Sequence, residues 1–156
     1  MNGKAEPMRR GPALTRAEVK YQRARVESAL AYVKRALKLD FQFHIQDGES
    51  DDGRLLDIQE SNRGSEDPRT FTLTLYPEHL EDESALSIRR HLFHEIGHAI
   101  TWDLYREALA TLKHIPDKAL RQELARRIDD ACESVVYTIE RKLGPRIFPG
   151  LPWGEP

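Results

Sequence analysis

The chain has 156 residues, close to the usual size of one domain and enough to bury a hydrophobic core without crosslinks. Charged residues make up 32% of it but nearly cancel, giving a formal net charge of -2, so the composition excludes the basic surface that nucleic-acid binding requires. The single cysteine, Cys132, excludes an internal disulfide and favours a reducing compartment.

The first thirteen residues form a polar segment with glycine and proline and no periodicity. They predict a flexible arm, 1–13, ahead of one domain over residues 14–156. The arm lacks the apolar segment of a secretory signal, and no apolar run approaches the ~20 residues that cross a bilayer. We therefore expect a cytoplasmic protein without a membrane partner.

The first regular element is a helix predicted over residues 15–38. Thr15 and Glu18 have the spacing of a capping box, which satisfies backbone donors at the start of a helix. Apolar residues follow at roughly helical spacing. They are Val19, Val26, Leu30, Val33 and Leu37.

Three short strands are predicted next. Phe41, Phe43 and Ile45 alternate with polar residues, and the acidic turn QDGESDDG separates them from an apolar run at 55–58, so we expect these two strands to form a hairpin. After a second polar loop, SNRGSEDP, the alternating stretch RTFTLTLY at 69–76 is the clearest strand. The predicted sheet is three-stranded and antiparallel or mixed.

Two helices complete the chain, over about 82–112 and 117–143, and Gly144 and Pro145 are expected to end the second. The tail, 144–156, is too rich in proline for regular structure. Its apolar residues still predict that it lies against the body: Ile147, Phe148, Leu151 and Trp153. A helix, three strands and two helices together predict a small α+β fold.

The stretch HLFHEIGHAI, 91–100, carries a candidate metal site. Each residue of an α-helix advances ~100°, so His94 and His98 lie ~40° apart in projection, one turn from each other, and both imidazoles can bind one ion. Glu95 lies beside the pair, where it can reach a metal-bound water. This is the HExxH pattern of zincins, in which two histidines bind zinc and the glutamate is the general base.

The surroundings of the motif favour a metal site over an accidental match on a charged helix surface. An apolar stripe is predicted opposite the histidines, and further apolar residues are predicted nearer to them. The stripe is Leu92, Phe93, Ile96 and Ile100, and the second group is Trp102, Tyr105, Leu109 and Leu112. Half-buried histidines need polar partners, and a metal supplies one. Gly97 predicts that another backbone packs closely there.

A third ligand is required, because catalytic zinc usually takes three protein ligands. A metzincin would place it six positions after His98, where Leu104 stands, so that subclass is excluded. Glu133 flanks the predicted apolar face of the last helix, and antiparallel packing of the two helices would bring it opposite both histidines. The predicted face is Leu124, Ile128, Cys132, Val135, Ile139 and Leu143. We predict Glu133 as the third ligand, and the alternatives left open are Asp129, Glu140 and His114.

HEIGH at 94–98, followed by Glu133 in a later helix, resembles the gluzincin metallopeptidases. It is most similar to their minimal bacterial and phage forms, including the repressor-cleaving ImmA/IrrE-like peptidases, over roughly residues 69–143. The resemblance implies a minimal zincin fold, one Zn²⁺ per chain and a peptide or protein substrate. Larger gluzincins often orient a zinc-bound histidine with an aspartate four positions after the ligand glutamate. Tyr137 stands there in this chain, and Asp129 is the alternative for that role.

A zinc metallopeptidase is therefore the predicted activity. Zinc would lower the pKa of its bound water towards ~7, and Glu95 would accept the proton and later deliver it to the leaving amine. Tyr137 is the predicted donor to the carbonyl oxygen, with Tyr105, Tyr76 and His91 as alternatives. The RTFTLTLY strand could offer an edge to which an extended substrate adds as a further strand.

Two other classes of function fit the same sequence. One is a catalytically inactive zinc-binding regulatory or interaction protein that retains the zincin fold. The other is a regulatory protein whose acidic loops are docking segments and whose histidines bind nothing. The first acidic loop is not predicted to bind calcium, because Ile58 stands where the closing acidic ligand is required. No feature of the sequence indicates an oligomeric state.

Overall fold

The computed structural model describes residues 14–49, 53–60 and 70–149. The predicted arm, part of the first polar loop, all of the second and the end of the tail, with Leu151 and Trp153, lie outside these ranges. The helices are α1 (Arg16–Leu37), α2 (Ala85–Thr111) and α3 (Lys118–Ile147), and the strands are β1 (Gln42–Asp47), β2 (Leu56–Glu60) and β3 (Thr70–Leu75). Short 3-10 turns span Pro77–His79 and Leu112–His114. The predicted α+β class is confirmed.

Helix α1 begins as its capping sequence predicts. The Thr15 hydroxyl accepts from the Glu18 amide at 3.3 Å, and the Thr15 amide donates to the Glu18 carboxylate at 2.6 Å. The buried side of the helix packs into the main core, with Val26 and Val33 fully buried. From the same helix, Arg25 donates to the carbonyl of Leu80 at 2.9 Å. This bond ties α1 to the segment that leads into α2.

The sheet has the order β1, β3, β2 and is mixed. Strand β3 pairs in parallel with β1 and antiparallel with β2, so the predicted hairpin between β1 and β2 is wrong. The central strand, β3, is buried on both faces. Phe71, Leu73 and Leu75 are at most 2% exposed on one face, and Thr70 and Thr74 are buried on the other. A strand with two covered faces is most stable between two neighbours.

Helix α2 begins at the N-cap Ser84, whose hydroxyl accepts from the Ser87 amide at 3.0 Å. Leu92, Phe93 and Ile96 are buried, as the predicted stripe requires. Ile100 is 41% exposed, so the prediction is wrong at that position. Beyond Ile96 the buried side of the helix continues at Ala99, which is 4% exposed, and turns away from Ile100. No helix within the described ranges has the length and apolar character that a bilayer crossing needs.

Helix α3 differs from its prediction in rotation and in length. Val136 is buried completely, whereas Val135 is 44% and Leu143 36% exposed, so the buried face is displaced by one position at its C-terminal half. The helix also continues through Gly144 and Pro145 to Ile147. The predicted stop is wrong because the residues beyond it are held by the core.

Phe148 is the residue that holds the end of α3. It is 3% exposed, its ring stacks on Tyr32 of α1 at 5.5 Å, and it meets Phe93 of α2 edge to face at 5.8 Å. The Phe148 amide donates to the carbonyl of Gly144 at 2.8 Å, which closes the last helical turn. The described part of the tail thus lies against the body, as predicted from its apolar residues.

Candidate metal site

His94, His98 and Glu133 come together between α2 and α3. The two histidine Nε2 atoms are 3.2 Å apart. A Glu133 carboxylate oxygen lies 3.5 Å from Nε2 of His94, and the other lies 3.3 Å from Nε2 of His98. One ligand atom from each residue falls within 4.8 Å of the others, so the three side chains are close enough to hold one metal ion.

Antiparallel packing of α2 and α3 creates this convergence. Contacts between the two helices run in opposite directions along the chain. They are His94 with Glu140, His98 with Glu133, Thr101 with Cys132 and Tyr105 with Asp129. The short connection between the helices favours this arrangement. The structure therefore shows the predicted antiparallel packing, with Glu133 opposite the histidines.

Gly97 of α2 packs closely against Val136 of α3. A Cβ atom built there would lie 2.8 Å from Cγ1 of Val136, closer than such atoms come in proteins. The sequence predicted that another backbone would pack against Gly97, but the neighbouring atoms belong to the side chain of Val136. Val136 lies between Glu133 and Glu140 on α3, so this contact is flanked by the two carboxylates that meet the histidines.

Each histidine turns its second ring nitrogen towards another residue of α3. Nδ1 of His94 lies 3.5 Å from Oε1 of Glu140, whose side chain is 6% exposed, and Nδ1 of His98 lies 3.9 Å from the sulfur of Cys132. Glu140 was considered only as a ligand, and Cys132 only as part of an apolar face. The signal for Glu140 was its position, two turns after Glu133 on the buried side of the helix.

The pKa values of the two imidazoles are shifted in opposite directions. Burial lowers the pKa of His94, but the hydrogen bond and charge of Glu140, with Glu95 and Glu133, outweigh it, and the net shift is upward. For His98, burial is the main effect, and its pKa is lowered even though Glu133 opposes the shift. The neutral form that binds metals is thus favoured at His98.

Glu95 lines the same cavity as the two histidines. Burial raises its pKa to about 7, the neighbouring carboxylates Asp57 and Glu133 add to that rise, and His94 and Arg54 oppose it. A carboxyl group that titrates near neutrality can accept and return a proton under physiological conditions. The structure therefore places Glu95 in the cavity wall, beside the two histidines.

The cavity has a volume of about 760 Å³ and opens between β2, α2 and α3. Residues 53–58, which include most of β2, form one of its walls. The edge for substrate pairing was expected on the RTFTLTLY strand, and this expectation is wrong, because β3 pairs on both sides. The strand at the end of the sheet beside the histidines is β2.

Tyr137 lies beside the cavity, with its ring centre 5.2 Å from that of His94, and is 44% exposed. The alternatives are placed less favourably. The Tyr105 hydroxyl donates to Asp129 at 2.7 Å, and Tyr76 is not among the residues that line the cavity. Nδ1 of His91 lies 2.9 Å from the carbonyl of Ser87, which fits the structural role considered for this histidine.

The alternatives for the third ligand occupy other positions. Asp129 accepts the hydrogen bond from Tyr105, and Glu140 faces the Nδ1 side of His94. His114 is exposed in the turn that follows α2 and does not line the cavity. Glu133 is thus the acid that completes the cluster among the described residues.

Comparisons of this chain with protein-family models, with curated proteins and with solved structures find no match. The function is therefore inferred from the geometry of the site itself.

Proposed function

We propose that the protein is a zinc-dependent metallopeptidase in which His94, His98 and Glu133 bind one Zn²⁺ per chain. The observation that carries the proposal is the shape of the ligand cluster. Ligand atoms ~2.0–2.1 Å from a tetrahedral zinc ion lie about 3.3 Å from one another. Here the two Nε2 atoms are 3.2 Å apart, one Glu133 oxygen lies 3.5 Å from Nε2 of His94, and the other lies 3.3 Å from Nε2 of His98, so each pair has about the separation of two ligands of one ion. All three side chains line the cavity, so one side of the cluster faces it.

Bound zinc would polarise the substrate carbonyl and make water nucleophilic at neutral pH. Glu95 is the proton carrier in this proposal: it takes the proton from the attacking water and gives it to the leaving amine. Its partly buried position favours both steps, because a pKa of about 7 lets it hold or release a proton with little cost. Tyr137, which borders the cavity beside His94, is proposed to donate to the carbonyl oxygen.

Strand β2 is the proposed docking element for an extended polypeptide. The carbonyl of Leu55 accepts from the Tyr76 amide at 3.1 Å, so Leu55 and Asp57 direct their backbone groups towards β3. In an antiparallel pair alternate residues face opposite ways, and the backbone groups of Leu56 and Ile58 therefore point away from β3. A substrate that pairs with them would lie along the wall of the cavity that holds Glu95.

The resemblance of HEIGH and Glu133 to the minimal gluzincins supports the same reaction. We extend the proposal to a cytoplasmic location, since the one cysteine, Cys132, is a free thiol and lies beside His98. The substrate is proposed to be a peptide or an unfolded or flexible segment of a protein, because an edge strand binds extended chains.

Replacement of Glu95 by glutamine tests the proposal. Purified wild type should contain one zinc per chain and cleave some members of a panel of unfolded proteins and repressors. Glu95→Gln should keep its zinc and lose cleavage by about 10²- to 10⁴-fold, because glutamine cannot accept the proton. Glu107→Gln is the matched control, since Glu107 is an exposed glutamate on the same helix, and it should cleave like wild type.

Stoichiometric zinc in a wild-type protein that cleaves no member of the panel would contradict the proposal. That result would favour the inactive zinc-binding regulatory protein.

A further inference from the structure

Glu140 is the only buried acidic residue within the described ranges, at 5% exposed. A buried carboxylate is costly unless a partner compensates for the lost hydration. Its ion-pair partner among the described residues is His94, whose Nδ1 lies 3.5 Å from Oε1 of Glu140. The position of Glu140 is therefore explained by what it does to this histidine.

The ring of His94 lies between two carboxylates of α3. Glu133 is on the Nε2 side, at 3.5 Å, and Glu140 is on the Nδ1 side at the same distance. An acceptor at Nδ1 keeps the ring proton there and leaves the lone pair of Nε2 directed at Glu133 and His98. A ring without this acceptor can carry its proton on Nε2 and must lose it before it binds a metal.

We propose that Glu140 is a positioning residue: it accepts a hydrogen bond from Nδ1–H of His94 and so presents Nε2 to the metal ion. The proposal rests on the metal site proposed above. It assigns to Glu140 the orienting role for which Asp129 is the candidate from the sequence. Asp129 instead accepts from Tyr105, and Tyr137 offers its ring to His94.

His98 provides an internal comparison. Its Nδ1 faces the sulfur of Cys132 at 3.9 Å. A thiol is a weaker hydrogen-bonding partner than a carboxylate. The two imidazoles are thus supported unequally. Loss of Glu140 should weaken metal binding more than loss of Cys132.

The first measurement is zinc affinity, by competition with a chelator, in Glu140→Met, Glu140→Gln, Cys132→Ala and the control Glu107→Gln. Glu140→Met removes the acceptor and should weaken binding about 10- to 100-fold. Glu140→Gln keeps a weaker acceptor, so its zinc affinity should lie between those of Glu140→Met and wild type. Cys132→Ala should lose less zinc affinity than Glu140→Met, and Glu107→Gln should bind zinc as tightly as wild type.

The second measurement separates positioning from a merely structural role and needs no metal. At pH 8 the nitrogen chemical shifts of His94, from NMR of the metal-free protein, should place the proton on Nδ1 in wild type. Glu140→Met should shift it partly or wholly to Nε2. The midpoint of urea unfolding of the metal-free Met variant should equal or exceed that of wild type, because an apolar side chain replaces a buried carboxylate.

The inference is overturned if Glu140→Met binds zinc within about twofold of wild type, or if its His94 proton stays on Nδ1. Both readouts are independent of turnover. A protein without cleavage activity would contradict the proposed reaction and leave these two measurements decisive for Glu140. If the wild type is active but the His94 ring proton stays on Nδ1 in Glu140→Met, only the positioning role of Glu140 is overturned.

Discussion

Burial of Glu95 favours the protonated form of its carboxyl group. Its pKa in the folded chain is about 7, against an ordinary value of 4.5, and the main cause is the loss of hydration in the cavity wall. Between these two pH values the folded, metal-free protein keeps a proton that the unfolded chain releases. Folding is then coupled to pH through one side chain of the site.

The sign of that coupling gives a prediction for the metal-free protein. Because the folded state binds more protons between pH 4.5 and about 7, the stabilisation linked to Glu95 is present below pH 4.5 and lost as the pH rises through about 7. Glu95→Gln is uncharged throughout and removes this term. Wild type should therefore become less stable relative to Glu95→Gln from pH 5 to pH 8, measured by urea unfolding with a chelator.

Both proteins contain the same histidines, but the Glu95 charge also raises the pKa of His94, so the difference between them reports Glu95 together with its interaction with that ring. A difference in unfolding free energy that stays constant between pH 5 and pH 8 would contradict the partly buried, proton-retaining position.

At the scale of residues, the sequence predicts what local spacing controls. His94, Glu95 and His98 follow from helical geometry alone. Glu133 follows from the need for a third ligand on a helix that packs against the first. Glu140 was not predicted as the partner of His94: its spacing from Glu133 was a signal, but the predicted face of α3 was one position away from the observed one, on which Val136 is buried.

The contact between Gly97 and Val136 is the central feature at the scale of elements. Gly97 leaves room for Val136, and any side chain at residue 97 would have to displace it. A shift of α3 away from α2 would carry Glu133 and Glu140 with it. The spacing of the metal ligands therefore depends on the absence of one methyl group.

We predict that Gly97→Ala weakens zinc binding. Alanine favours a helix over glycine by roughly 1 kcal/mol, but overpacking against Val136 costs about 1–3 kcal/mol, so stability should fall or stay level. Adding Val136→Ala relieves the clash. The double variant should recover zinc affinity relative to Gly97→Ala, as measured by chelator competition.

Val136→Ala alone completes the comparison. It leaves a cavity and should lower the unfolding free energy by itself, and its combination with Gly97→Ala should cost less than the sum of the two single changes. Additive effects on stability and on zinc affinity would contradict a contact that spaces the helices.

Strand β2 gives a prediction about substrate docking. When Glu95→Gln binds a peptide that wild type cleaves, amide hydrogen exchange should slow at Leu56 and Ile58, whose amides point away from β3. Exchange at Asp57, whose amide points towards β3, should change less. Equal or absent protection at these amides would place the substrate elsewhere in the cavity.

The elements themselves were largely predictable, and their arrangement in the sheet was not. The three helices follow from periodicity and from caps such as Thr15. The strand order did not follow, because adjacent strands in sequence predict a hairpin, whereas burial of β3 on both faces places it between β1 and β2. The end of α3 was misjudged for a similar reason, since burial of Phe148 outweighs the local signal of Gly144 and Pro145.

At the scale of the whole molecule, the candidate metal site lies between two helices, α2 and α3. An ion bound by His94 and His98 of α2 and by Glu133 of α3 would stabilise the folded chain, since the unfolded chain does not hold the three ligands together. Zinc should therefore raise the unfolding temperature, and a chelator should lower it.

Zinc titration of wild type and Glu133→Gln, with Asp130→Asn as an exposed control on α3, tests convergence of the three ligands most directly. Calorimetry should give one zinc per wild-type chain and per control chain. Glu133→Gln replaces a ligand, so its affinity should fall by more than the roughly 10- to 100-fold expected for a supporting residue. Equal zinc affinity in wild type and Glu133→Gln would contradict the account.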